Sequence, residues 1–170
     1  MKHWIARGVL TAALLLPFAS VQAFYDEYAT TYSYAAAGLH LWNDGNDGGS
    51  GAKVRLGHQL NTFVGAEFQL GVGGKNNQEV SLDWLFGGYA RFTLPLGQLT
   101  PFAKLGLTAV SLGGADDSQT DLGLGFGLGF ELAWSPVFFV DIEYMSYLAV
   151  EAEDVNTDLD ALTLGIGYRF

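Results

Sequence analysis

Cysteine is absent, so no disulfide can staple the chain and no thiolate can act as nucleophile or metal ligand. Basic residues are scarce: eight Lys and Arg stand against 18 Asp and Glu, a formal net charge of −10. Nucleic-acid binding rests on a basic surface, and this balance excludes it. Histidine occurs only at His3, His40 and His58, too sparsely for a clustered metal site. Beyond the first 23 residues no apolar run approaches the roughly 20 residues of a membrane-spanning helix. A chain of this kind crosses a membrane as strands or stays soluble.

The first residues, MKHWIARGVLTAALLLPFASVQA, read as a secretory signal peptide. Lys2 and Arg7 form its basic region, Gly8 to Ala19 its apolar core, and Val21-Gln22-Ala23 its small-residue cleavage site. Cleavage after Ala23 leaves residues 24–170 as one domain and takes the charge to −12.

What the chain has in abundance is glycine, 23 residues, with 49% hydrophobic and 14% aromatic residues. The two are interleaved most plainly in Asp121 to Leu132, DLGLGFGLGFEL. Leu122, Leu124, Phe126, Leu128, Phe130 and Leu132 alternate with Gly123, Gly125, Gly127, Gly129 and Glu131. A period of two is a β-strand, because successive side chains point to opposite faces. The wet face of a soluble strand normally carries polar side chains, whereas glycine marks a close approach, such as the wall of a crowded lumen. This strand therefore predicts a lipid-facing Leu/Phe side and a bare inner side.

The same alternation gives seven further strands. Thr31 to Trp42 turns Leu39 and Leu41 out and Gly38 and His40 in. Asn43 to Gly51, NDGNDGGSG, reads as a loop. Ala52 to Leu60 sets Val54, Leu56 and Leu60 against Lys53, Arg55 and Gln59, and a tight turn leads to Phe63 to Val72. After the loop Gly73 to Gln78, Val80 to Phe92 is read with Val80, Leu82, Trp84 and Phe86 outward and Ser81, Asp83, Tyr89 and Arg91 inward. Pro101 to Ser111 follows the turn Thr93 to Thr100, and Gly113 to Thr120 reads as another loop before the opening strand. Ser135-Pro136 turns into strand seven, which sets Phe138, Val140, Ile142 and Tyr144 against Phe139, Asp141, Glu143 and Met145. A last loop, Val150 to Asp158, leads to strand eight, ending LTLGIGYRF. Long polar connections alternate with short ones, as in an outer-membrane barrel with both termini on the periplasmic rim. The fold class predicted is all-β: an eight-stranded antiparallel up-and-down transmembrane β-barrel. A soluble barrel of lipocalin type would alternate similarly, but a small barrel cannot enclose so many large residues.

Sorting charges by face predicts a lumen with Lys53, Arg55, Arg91, Lys104 and Arg169 against Glu67, Asp83, Glu131, Asp141 and Glu143. Charges in a narrow lumen must be paired. Arg91, Lys104, Glu131, Asp141 and Arg169 are expected in the periplasmic half, with Lys104–Glu131 as the direct pair and Arg55–Glu67 as a second. Such a network fills and rigidifies the barrel; exchange of partners would instead make it a gate. The glycines leave room for long side chains such as Tyr89 to lie across the lumen. Trp42, Trp84, Trp134, Tyr144, Tyr168 and Phe170 are expected in interfacial girdles.

No cofactor or metal is implied. Asn43 to Gly49 lacks the glycine–glutamate spacing of an EF-hand calcium loop. The acidic loops suit divalent-cation bridges to the anionic outer leaflet. Neither His40 nor His58 has the Ser and orienting acid that nucleophilic hydrolysis requires, so no enzyme is expected.

Four features, namely the ending VQA, the segment PLGQLTPFAKLGLT, the glycine-alternating strand and the terminus LTLGIGYRF, resemble the small Gram-negative outer-membrane β-barrel proteins. The plan is similar to the barrels of outer membrane proteins A and X. The resemblance implies residence in the outer membrane, contact with its lipids and lipopolysaccharide, and a monomer. It also implies that Phe170 serves as the signal read by the barrel-assembly machinery. The function expected is envelope structure or surface interaction with a filled lumen. The alternatives are a narrow channel or transporter for small or hydrophobic solutes and, behind it, a lipid-modifying enzyme with a Ser–His pair on the outer rim.

Overall fold

The computed structural model describes residues 31–43, 48–74, 81–113, 118–149 and 158–170. The expected signal peptide, the lead-in to Thr30, Lys75, Val80 and most loop acids lie outside the described residues. Eight strands follow one another: β1 Tyr32–Asn43, β2 Gly48–Gln59, β3 Val64–Gly73, β4 Ser81–Thr93, β5 Leu99–Gly113, β6 Ser118–Ala133, β7 Phe138–Ala149 and β8 Asp158–Arg169. Each pairs antiparallel with its neighbour, and β1 pairs with β8 to close the barrel. At that seam Ser33 and Phe170 exchange two backbone hydrogen bonds of 2.9 and 2.8 Å.

The distribution of side chains is inverted relative to a water-soluble protein. Among the described residues 31 large apolar or aromatic side chains are exposed, while Lys53, Arg55, Glu67, Arg91, Lys104, Glu131, Asp141, Glu143 and Arg169 are all buried. Such a surface is stable only against lipid. β6 follows the predicted faces: Leu122 to Leu132 on the even positions are exposed, and Gly123 to Glu131 on the odd ones are buried. The short turns after β2, β4 and β6 share one rim with the start of β1 and the end of β8, here the terminal rim. In the β4–β5 turn Gly97 takes φ 76°, the left-handed conformation that a two-residue hairpin loop asks of its first residue.

Three expectations are corrected. Gly48–Gly51 and Ser118–Thr120 belong to strands, so the connections after β1 and β5 shrink to four residues each. Glycine reads as a turn in sequence, but here it permits close approach: a side chain on Gly49 would collide with the Trp42 indole, and one on Gly51 with the Val72 carbonyl. Trp42 is itself 2% exposed and lies in the lumen, on the same face as His40, rather than in a girdle. In β4, Leu82 pairs with Leu112 and Trp84 with Ser111, leaving Asp83 as the extra residue of a β-bulge. The bulge turns Leu82 inward and Asp83 outward, where Ser81 Oγ donates to its carboxylate at 2.7 Å.

Candidate functional site

The lumen is the only place where this barrel gathers chemistry among the described residues, and it is built in two halves. Towards the terminal rim the walls carry charge. Lys104 on β5 donates to Glu67 on β3 at 2.5 Å and also to Glu143 on β7. Glu143 accepts in addition from Lys53 and, at 3.5 Å, from Arg55, both on β2. Arg55 Nη2 reaches Asp141 at 2.5 Å. Glu67 is completed by the Tyr34 hydroxyl and by Gln69 Nε2 at 2.8 Å. These bonds are chords across the barrel, since β2 and β7 are three strands apart by the shorter way round. Glycine makes the chords possible: a Cβ on Gly165 would sit 2.6 Å from Arg55 Nη2 and 2.7 Å from Asp141 Oδ1.

Nearer the terminal rim a second cluster surrounds Glu131. Arg91 donates to it at 2.7 Å, and Arg169 donates to its other oxygen. Both guanidinium groups also lie on aromatic faces. Arg91 stands 4.4 Å from the Phe102 ring centroid and 5.2 Å from that of Tyr34. Arg169 stands 5.0 Å from Tyr32 and 5.3 Å from Phe139. With Asp83 outside, the buried charges of the described lumen are five cations and four carboxylates rather than five of each. The quadrupoles of these rings stabilise the surplus positive charge.

The eight candidate residues Lys104, Glu131, Asp141, Glu143, Arg91, Arg169, Arg55 and Glu67 thus all line the lumen, but neither expected direct pair forms. The rung partner of Lys104 is Gly127, and Glu131 lies opposite Thr100, four residues along β6. That offset is about 13 Å along the strand, so the lysine turns across the lumen instead. Arg55 and Glu67 are two rungs out of register, opposite Gln69 and Gly57, and each takes a different partner. Lys53, which parity places in the lumen without a stated partner, pairs with Glu143, and Tyr34, which the sequence reading does not single out, bonds Glu67.

Towards the loop rim the lumen is apolar. Trp42, Leu82, Leu85, Tyr89, Met145, Tyr147, Leu159 and Ala161 form one buried cluster, with Val110 and Leu112 against it. Tyr89 and Thr108 share a hydroxyl hydrogen bond of 2.5 Å, and the Tyr89 ring lies over Gly87 and Gly125 along its own wall. It does not cross the lumen. His40 is buried beside this cluster, with Nδ1 3.3 Å from Thr163 Oγ1. His58 is exposed on the lipid side near the terminal rim, where its Nδ1 and Ser33 Oγ are 2.9 Å apart. No carboxylate is bonded to His58 among the described residues.

A closed eight-stranded barrel with an apolar outer belt has its counterpart among known sequences. The family model described as outer membrane protein beta-barrel domain matches residues 11–170. This chain belongs to that family. It is an outer-membrane barrel protein. Its fold is similar to the N-terminal β-barrel domain of Pseudomonas aeruginosa OprF, at TM-score 0.61 and 17% identity over 83% of this chain and 98% of that one. Neisserial surface protein A gives TM-score 0.59 and 20% identity over 84% and 98%. Ail, the attachment invasion locus protein of Yersinia pestis, gives 0.60 and 15% over 84% and 100%. At these identities the likeness is one of fold. No curated protein sequence matches the chain. As an outer-membrane barrel, the protein turns Leu39, Leu56, Phe68, Leu107, Leu128 and Leu164 to lipid, with Trp134, Tyr168 and Phe170 exposed near the terminal rim.

Proposed function

We propose that the protein is a closed structural element of the outer membrane, with a plugged lumen and an acidic outer rim that meets the envelope surface. The observation that carries this reading is the double closure. Chords from Lys104 and Arg55 cross the charged half, and the Trp42–Tyr89–Tyr147 cluster fills the other half. Water and ions crossing the barrel would have to break both, and unpaired ions in such a space cost several kcal/mol each. The test is planar-bilayer recording of the refolded barrel. Absence of unit conductance steps is the expected result; reproducible steps in the unmodified protein sink the reading and favour a narrow channel.

The outer rim is acidic throughout the sequence, and divalent cations would bridge it to lipid phosphates. Ail has been solved in complex with the heparin analogue sucrose octasulfate. A charge of −12 on the mature chain disfavours a polyanion of that kind here, so surface contacts of this protein are with cationic or cation-bridged groups. A catalytic role finds no support in Ser33–His58, which lacks an orienting acid among the described residues.

A further inference from the structure

Every turn of the terminal rim carries a large apolar tip. Leu60 and Phe63 in the β2–β3 turn are 57% and 58% exposed, Leu94 in the β4–β5 turn 55%, and Trp134 in the β6–β7 turn 77%. None of the residues 60–63, 94–98 and 134–137 is charged. A single exposed apolar residue needs no explanation, but a row of them along one rim does. This row adjoins the lipid-facing belt, whose nearest members are Phe92, Leu132 and Phe138.

The polar groups of these turns are occupied by the protein itself. In the β2–β3 turn all four carbonyls from Leu60 to Phe63 have donors. Thr31 Oγ1 donates to that of Leu60 at 3.3 Å and Gln59 Nε2 to that of Asn61 at 2.8 Å. Thr93 Oγ1 donates to Thr62 O and the Thr93 N–H to Phe63 O, both at 2.9 Å. The N–H groups of Phe63 and Val64 donate to Asn61 Oδ1 at 2.8 and 3.0 Å. The β6–β7 turn repeats the device with Ser135, whose Oγ accepts from the Val137 and Phe138 N–H at 3.3 and 3.0 Å. Trp134 and Ser135 donate their N–H groups to Phe138 O, and Pro136 has none to offer. A turn in water can leave such groups to the solvent. A turn in lipid must satisfy them internally, because nothing there replaces a missing partner.

We propose that the terminal rim is a membrane anchor, its three turns seated in the boundary between headgroups and acyl chains of the adjoining phospholipid leaflet. Phe63, Leu94 and Trp134 are the inserted side chains, and binding comes from their apolar area. Uncharged turns offer nothing to a phosphate, so the partner is a zwitterionic lipid surface rather than an anionic one. The lipid contact of the belt thereby extends past the strand ends on this side. The anchor does not depend on the closed-lumen reading and holds whether or not the barrel conducts.

The test is fluorine NMR of the full barrel, labelled with fluorotryptophan, in nanodiscs of dioleoylphosphatidylcholine. Trp134 reports on its own turn, Phe63→Trp on the β2–β3 turn, and buried Trp42 serves as the internal control. Relaxation is measured with a lipid carrying a doxyl group near its headgroup and, separately, with a gadolinium chelate in the water. Free fluorotryptophan in the same sample is the water reference. Both turn signals should be broadened by the doxyl lipid and should relax several-fold more slowly with gadolinium than the reference does. In vesicles of graded thickness, Phe63→Ser combined with Trp134→Ser should move the highest urea midpoint towards shorter acyl chains. Turn signals relaxed by gadolinium as fast as the reference would place the turns in water and overturn the anchor. Protection from both probes would mean a protein cover and would overturn lipid as the partner. An unchanged optimum of chain length would overturn the anchoring role.

Discussion

The two halves of the lumen close the same barrel by opposite means. In the charged half, long side chains reach across open space, and nearly every one has a named acceptor: Glu143 alone takes Lys53, Lys104 and Arg55. In the apolar half, bulky side chains lie flat against the wall, Trp42 over Gly49 and Gly73 and Met145 over Gly127. Charge closure is specific and brittle, because losing one partner strands the rest in a poor solvent. Apolar closure is local, because losing one ring leaves a void that its neighbours partly refill. The contrast teaches that glycine serves both halves, as clearance for chords in one and as a bed for rings in the other.

The largest expected break of this contrast is Glu143→Ala. It leaves five buried cations against three buried carboxylates and should destabilise the barrel by about 3–5 kcal/mol, read from the urea midpoint in liposomes. Any leak it opens should be anion-selective, which reversal potentials in a salt gradient would check. Trp42→Ala should come next, at about 3 kcal/mol for a large ring lost from a packed cluster. It should not produce selectivity, because the charged half stays closed. Gly57→Leu would place a side chain where the Tyr34 ring lies and should cost about 1–3 kcal/mol by overpacking. The smallest effect, within about 0.5 kcal/mol, is expected for Asp83→Asn. A loss of several kcal/mol there would mean that Asp83 is a lumenal partner after all and that the bulge is misplaced.

Much of the fold was legible in the sequence, because lipid and lumen demand different residues and a strand alternates between them. β6 is the clearest case, its six large residues and four glycines leaving one orientation possible. The face of Asp83 was not legible, since a bulge adds one residue and reverses the parity beyond it without altering the composition. Gly48 to Gly51 read as loop because glycine favours turns, whereas the strand uses Gly49 to seat the Trp42 indole and Gly51 to let the Val72 carbonyl approach. The ion-pair partners failed for a different reason. Parity tells which way a side chain points, but the partners of Lys104 and Arg55 depend on which walls the curvature brings face to face. Adjacent-strand logic therefore found the lumenal residues and missed the chords.

The seam between β1 and β8 has a consequence for how the barrel is made. Seven of the eight ladders join strands that follow one another and can grow outward from their turns. The eighth joins Tyr34 to Arg169 and Asn43 to Asp160, residues more than a hundred positions apart. Its formation bears the entropy of closing the largest loop in the molecule and must come after the others are in register. Until then β1 and β8 are both exposed edges, able to pair with any strand they meet. Assembly is thus a zipper with a single late clasp, and Ser33 and Phe170 are its teeth.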